Sequence, residues 1–203
     1  MKLSTIHNEM NQEIQNIYNI TGEELTKTRL NQIRSPFSSQ GLRNFINFTG
    51  RQKIVITGSR RSGKTFLLNQ LVKYMFSIEQ MKINTKVLYA CPTKTSISLH
   101  RDCMLKELAM FNKPKSYTSN MIRLYNNSMI YFTLHDAREY CGMGNADCLV
   151  IDDATWTMDA NILASMLICL NKGARVAMVC DRNSGAMDLA RHFNFQEVNI
   201  YGY

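Results

Sequence analysis

Two rhythms of apolar and polar positions run along the chain, and the change falls near residue 50. Before it, Leu3, Ile6, Met10, Ile14, Ile17 and Tyr18 recur at helical steps, which puts them on one face of a helix. Thr21-Gly22-Glu23-Glu24 has the form of a capping box and opens a second helix through Leu25, Leu30 and Ile33. That helix must stop near Ser35-Pro36, because the residue before a proline avoids the helical region. A third, short helix is expected through Leu42, Phe45 and Ile46.

From Lys53 onward the pattern alternates between short apolar runs and amphipathic stretches. The runs predict strands over 53–57, 86–90, 128–133, 148–151 and 175–180, with a weaker one over 197–200. The stretches predict helices over 64–77, 97–111, 161–171 and 185–192. Residues 121–124 and 128–133 flank Asn126-Asn127, which suits a hairpin turn. Apolar strands alternating with amphipathic helices define an α/β fold with a mainly parallel sheet flanked by helices. The expected organisation is a helical N-terminal extension over 1–50 and an α/β domain over 51–203.

Composition bounds this picture without changing it. A chain of 203 residues with 45% hydrophobic and 20% charged residues has an ordinary globular make-up, with room for one domain. No window offers the ~18 uninterrupted apolar residues of a membrane span. The N-terminus turns polar at once and lacks the apolar core of a secretory signal, so the expectation is a soluble intracellular protein with no membrane partner. Cys91, Cys103, Cys141, Cys148, Cys169 and Cys180 include no C-x-x-C pair and read as free thiols. His7, His100, His135 and His192 are scattered, with no pair at ligand spacing, so no zinc site is expected. The net charge of +8 favours a polyanionic partner without identifying one.

The decisive motif is Gly58-Ser59-Arg60-Arg61-Ser62-Gly63-Lys64-Thr65, a complete G-x-x-x-x-G-K-[ST] phosphate loop. Gly58 lets the chain leave a strand sharply, and Gly63 lets backbone approach a phosphate with no side chain between. The loop amides and the following helix N-terminus then face the anion. Lys64 is placed to reach the β- and γ-phosphates of ATP, and the Thr65 hydroxyl to coordinate Mg2+. The flanks fit, because Ile54-Val55-Ile56 precedes the loop and the stripe Leu67, Leu68, Leu71, Val72 and Met75 follows it.

Cys148-Leu149-Val150-Ile151-Asp152-Asp153 describes a buried strand that delivers two carboxylates to its C-terminal edge, where phosphate loops also lie. Asp152 is placed to hold magnesium through water, and Asp153 to orient or deprotonate the attacking water. The plain alternative is a strand ending in a solvated Asp-Asp turn. The gap between loop and acids fits an intervening strand between the two, as in the RecA-like, additional-strand (ASCE) P-loop ATPases. Residues 175–180 then supply the next strand, and Asp181-Arg182-Asn183-Ser184 after it reads either as a γ-phosphate sensor or as a polar loop.

With these residues in hand, the chain resembles the ATPase motor domain of viral and phage terminase large subunits. Pro36-Phe37 followed by Gln40 is similar to that family's adenine-recognition element. The run from Ser59 to Thr65 is similar to its S-R-x-x-G-K-T loop, and by that match Arg60 is the arginine implicated in catalysis in cis. Val87-Leu88-Tyr89-Ala90-Cys91-Pro92-Thr93 resembles its second strand and P-T turn. Gly144-Asn145-Ala146-Asp147-Cys148-Leu149-Val150-Ile151-Asp152-Asp153-Ala154 resembles its G-x-x-A-D-x-L-hydrophobic-D-E-A segment. The resemblance implies an ATP-hydrolysing motor that moves double-stranded DNA in viral genome packaging. It implies a ring of copies, a pentamer on the viral shell, in contact with portal or capsid. Its place is the host cytoplasm or nucleus, and transiently the capsid.

Two departures qualify the match. The family has glutamate where this chain has Asp153, whose carboxylate sits about 1.5 Å further back. An Asp-Asp pair also occurs in the FtsK/HerA-like packaging lineage. The acid cluster of the terminase nuclease domain has no counterpart here, which implies a separate nuclease subunit or a protein that never cuts DNA. Three other readings share the phosphate-site features: one RecA-like half of a helicase or remodeller, a nucleotide-binding adaptor with little hydrolysis, and a small-molecule kinase.

Overall fold

The computed structural model describes residues 52–58, 62–77, 84–108, 114–136, 144–154 and 158–200. The helices read over 1–50 lie outside them, as do Gln40, Ser59, Arg60, Arg61 and Cys141. The described chain runs β1 (Lys53–Gly58), α1 (Lys64–Ser77), β2 (Lys86–Cys91), α2 (Lys94–Leu108), β3 (Pro114–Tyr117) and β4 (Met121–Leu124). It continues through β5 (Met129–Leu134), β6 (Ala146–Ile151), α3 (Ala160–Ile168), β7 (Leu170–Cys180), α4 (Gly185–His192) and β8 (Gln196–Ile200).

All eight strands form one sheet in the order β3-β4-β5-β2-β6-β7-β1-β8. The six strands from β5 to β8 in that order are parallel, and the β3-β4 hairpin adds antiparallel pairs at one end. Strands buried on both faces need apolar side chains at every position, and the runs in β1, β2 and β6 supply them. One face is covered by α1 through Leu67, Leu68, Leu71, Val72 and Phe76, and by α2 through Ile97, Met104 and Leu108. The other is covered by α3 through Leu163 and Met166, and by α4 through Ala186, Met187 and Ala190. The result is a three-layer α/β/α arrangement, the fold class expected from the pattern.

The strand lying between β1 and β6 is β7, so the additional strand comes from the segment after the two acids and not from the gap before them. It also starts five residues before the expected 175, because Leu170-Asn171-Lys172-Gly173-Ala174 extends the strand along β6 with a register shift. Polar side chains and a left-handed Gly173 (φ 83°) hide that extension from a hydrophobic pattern. The preceding helix accordingly ends at Ile168, not 171.

Helix α2 begins at Lys94, not 97. Thr93 opens it, its hydroxyl accepting from Ser96 N at 3.0 Å and its carbonyl from Ile97 N at 3.1 Å. The hairpin is present as expected, with Asn127 in the left-handed region at φ 62°. Strand β3, which pairs with its outer side, has no counterpart among the strands expected from the pattern.

No disulfide joins the described cysteines, and Cys91, Cys148, Cys169 and Cys180 are buried. Burial pushes the Cys148 thiol up to about 12 and the Cys180 thiol up to about 11, so neither offers a thiolate near neutral pH. Among the described residues no three His, Cys, Asp or Glu side chains cluster as metal ligands. No described helix is long and apolar enough to cross a membrane.

Candidate functional site

Parallel strands end together, and this sheet brings its C-terminal edges to one place. Register pairs Thr57 of β1 with Cys180 of β7, and Ile151 of β6 with Met178 of β7. The C-terminal end of β1, Asp152 after β6 and Asp181 after β7 are therefore neighbours across the edge.

Gly58 closes β1 where no side chain fits. A Cβ there would lie 2.6 Å from Ser62 Oγ and 2.7 Å from the Ile200 carbonyl of β8. The carbonyl is backbone held in the sheet and cannot yield. Gly63 turns the chain into α1 at φ 84°, and a Cβ would meet nothing there, so the backbone conformation alone demands glycine. Gly58→Ala is expected to cost about 1–3 kcal/mol by overpacking, or roughly 2–12 °C in Tm. Calorimetry of the two proteins checks it, and an unchanged Tm would show that the turn has room.

Lys64, the first residue of α1, turns its ammonium back over the turn. Nζ donates to the Gly58 carbonyl at 2.8 Å and to Asp181 Oδ1 at 3.0 Å. The Lys64 side chain is 11% exposed and that of Asp181 47% exposed, so the pair sits at the mouth of the edge and not in the core. Ser184 fixes the Asp181 turn, its hydroxyl donating to the Asp181 carbonyl at 2.7 Å. Under the turn, Thr57 donates to Glu197 of β8 at 2.8 Å, which ties β1 to the sheet's outer strand.

Thr65 Oγ1 donates to Asp152 Oδ1 at 2.8 Å. A hydroxyl and a carboxylate oxygen side by side, with no nitrogen or sulfur among them, match the oxygen preference of Mg2+. That ion usually takes only one or two protein oxygens and completes its shell with phosphates and water. Asp152 is buried and Asp153 is exposed. Asp153 takes a left-handed backbone at φ 45°, and the chain rejoins the sheet at once through Ala154 N to the Val179 carbonyl at 2.8 Å.

The structure thus brings Gly58, Ser62, Gly63, Lys64, Thr65, Asp152 and Asp153 to one edge, with Asp181 beside Lys64. Sequence reading missed the groups behind Asp152. The other oxygen, Oδ2, lies 2.9 Å from His100 Nε2 on α2. Tyr89 of β2 and Asn69 of α1 complete a buried cluster, with Tyr89 Oη donating to Asn69 Oδ1 at 2.6 Å. The signal was present: Asn69 interrupts the apolar stripe of α1, and His100 falls between Ile97 and Met104 on the buried face of α2. His135, just after the end of β5, is also buried, and burial holds its imidazole below the usual histidine range.

No protein-family profile and no curated protein match the sequence. Solved structures do. The large terminase of a thermophilic bacteriophage superimposes over 83% of this chain and 44% of its own, with a TM-score of 0.62 at 12% identity. The ATPase domain of the Thermus phage P74-26 large terminase covers 78% of this chain and 70% of its own, with a TM-score of 0.51 at 8% identity. The HK97 bacteriophage large terminase covers 70% of this chain and 33% of its own, with a TM-score of 0.52 at 9% identity. The chain therefore has a terminase ATPase-like fold. It spans less than half the length of the thermophilic phage protein.

Proposed function

We infer that the protein binds Mg-ATP at the β1/β6/β7 edge and hydrolyses it as a terminase-type motor on double-stranded DNA during viral genome packaging. One observation carries the reading: Lys64, Thr65 and Asp152 converge on the fold shared with large terminases. The thermophilic phage terminase, of that fold, has been solved with ADP and with ATP-γ-S, which supports nucleotide binding. In this reading the loop from Gly58 to Thr65, with Ser59, Arg60, Arg61 and Ser62, wraps the phosphates. Gln40 reads the adenine edge. Thr65 and Asp152 hold Mg2+, which would neutralise charge on the phosphates, and Arg60 stabilises developing charge in cis. Asp153 orients the attacking water.

The net charge of +8 suits a DNA partner, and binding to it should weaken steeply with salt. Head-to-tail contacts between identical subunits close into rings, and the motor reading includes other copies of this chain in a ring, with portal, capsid or a nuclease subunit beside it. It would act inside the host cell and on the capsid.

The test is ATP turnover across a protein concentration series, with and without double-stranded DNA. The expected result is turnover per subunit that rises with both. Tight nucleotide binding with almost no turnover would replace the motor by an adaptor. Full DNA-stimulated activity at concentrations where sedimentation shows only monomer would remove the ring.

A further inference from the structure

The carboxylate of Asp152 is gripped from both sides, and only one grip belongs to the phosphate-loop motif. Thr65 holds Oδ1 at 2.8 Å and His100 holds Oδ2 at 2.9 Å. A carboxylate has only acceptors, so His100 Nε2 must carry a proton and donate. The opposite ring nitrogen, Nδ1, lies 3.3 Å from Asn69 Nδ2 and 3.3 Å from Tyr89 Oη. Tyr89 spends its single proton on Asn69 Oδ1 at 2.6 Å, and the Asn69 amide then donates to Nδ1. With Nε2–H donating and Nδ1 accepting, each member has a partner of the right polarity. Stacking adds a geometric constraint, since the Tyr89 and His100 rings lie 4.9 Å apart and tilted by 32°.

Burial gives this arrangement its stiffness. Asp152 is 5% exposed, His100 3%, Asn69 7% and Tyr89 fully buried, so water cannot substitute for a lost partner without cost. Asn69 stands one helical turn after Thr65 on α1, so the helix that carries the loop also braces the imidazole from behind. Elements α1, β2, α2 and β6 meet at one carboxylate.

We propose that His100 is a positioning residue for the magnesium side of the site: it fixes the Asp152 carboxylate so that Oδ1 stays beside the Thr65 hydroxyl. The inference rests on the nucleotide reading above, but concerns a residue outside the loop and acid motifs. With His100 gone, Oδ2 loses its buried donor and the carboxylate can rotate away from Thr65. Nucleotide contacts that do not involve the metal, those of the loop amides and Lys64, would be untouched.

The experiment is titration of a fluorescent ADP analogue with and without Mg2+ on the parent, His100→Ala, His100→Gln and Tyr89→Phe, together with nitrogen NMR of the histidines in the parent. The expected result for His100→Ala is a roughly ten-fold rise in the Mg2+ needed for half-maximal tightening, with magnesium-free affinity within about two-fold. His100→Gln, whose amide can still donate to Oδ2, recovers most of that shift. Tyr89→Phe moves it in the same direction by less, and keeps the proposal testable should His100→Ala not fold. The NMR spectrum should show one histidine locked as the Nε2–H tautomer. Failure of the parent to bind nucleotide overturns the site reading and this role with it. Binding by the parent with the same magnesium dependence in all variants overturns the role of His100 alone. So does a fall in affinity equal with and without magnesium.

Discussion

Lys64→Ala is expected to remove ATP turnover, by at least about 10²-fold, and to leave the fold standing. The size follows from what one preorganised cation contributes to phosphoryl transfer, about 3 kcal/mol or more where it faces developing charge. Survival of the fold follows from the lysine's surroundings. Its ammonium touches the Gly58 carbonyl and the Asp181 carboxylate, and Asp181 is 47% exposed, so water can take over there. A pair open to water on its Asp181 side contributes on the order of 1 kcal/mol. A phosphate bound at Lys64 would compete with Asp181 for the ammonium, so nucleotide binding should break the 3.0 Å contact. Phosphate release, nucleotide titration and thermal melting on the same preparation check all three statements. Turnover and affinity at the parent level would remove Lys64, and the loop with it, from the site.

The parts of this molecule that could be read from sequence are those whose pattern has one physical cause. Strand β1 is apolar on both faces because it lies inside a parallel sheet, and the loop's glycines are forced by geometry at Gly58 and by φ at Gly63. Helix α4 is legible at its true bounds because Ser184 and Gly185 open it and its small apolar face is compact. Strand β3 is illegible for the converse reason. Pro114-Lys115-Ser116-Tyr117 forms the sheet's outer edge and is largely exposed, so nothing imposes an apolar alternation on it. The polar start of β7 escapes in the same way.

At the site, motif spacing leads to Thr65 and Asp152, whose 2.8 Å contact joins residues 87 apart in sequence. His100 could not be found by ligand spacing, because its partners come from three other elements. A histidine on an apolar helix face commonly reads as a satisfied core residue. Here it is both satisfied and set against the acid of the site.

The second large effect is expected at Asp153, where substitution by asparagine should abolish hydrolysis and spare binding. Asparagine keeps the size and hydrogen-bonding reach of the side chain and removes its basicity. If Asp153 orients or deprotonates the attacking water, turnover falls by about 10²–10⁴-fold. The backbone makes this a clean substitution. Asp153 stands at φ 45°, a left-handed conformation that Asn and Asp adopt more readily than other side chains. It is also exposed, so no core contact is lost. Melting temperature should therefore hold, and affinity for Mg-nucleotide should stay within about two-fold, because Asp152 and Thr65 keep their 2.8 Å contact. The same backbone gives a reason for aspartate where terminases carry glutamate. Glutamate would extend the carboxylate by about 1.5 Å but fits the left-handed position less well. Asp153→Glu should then hydrolyse ATP at least as fast as the parent and lose about 1 kcal/mol of stability. Single-turnover hydrolysis and thermal melting of the three proteins separate the contributions. Parent-level hydrolysis by Asp153→Asn would assign the water to another residue, and unchanged stability in Asp153→Glu would remove the backbone as the reason for aspartate.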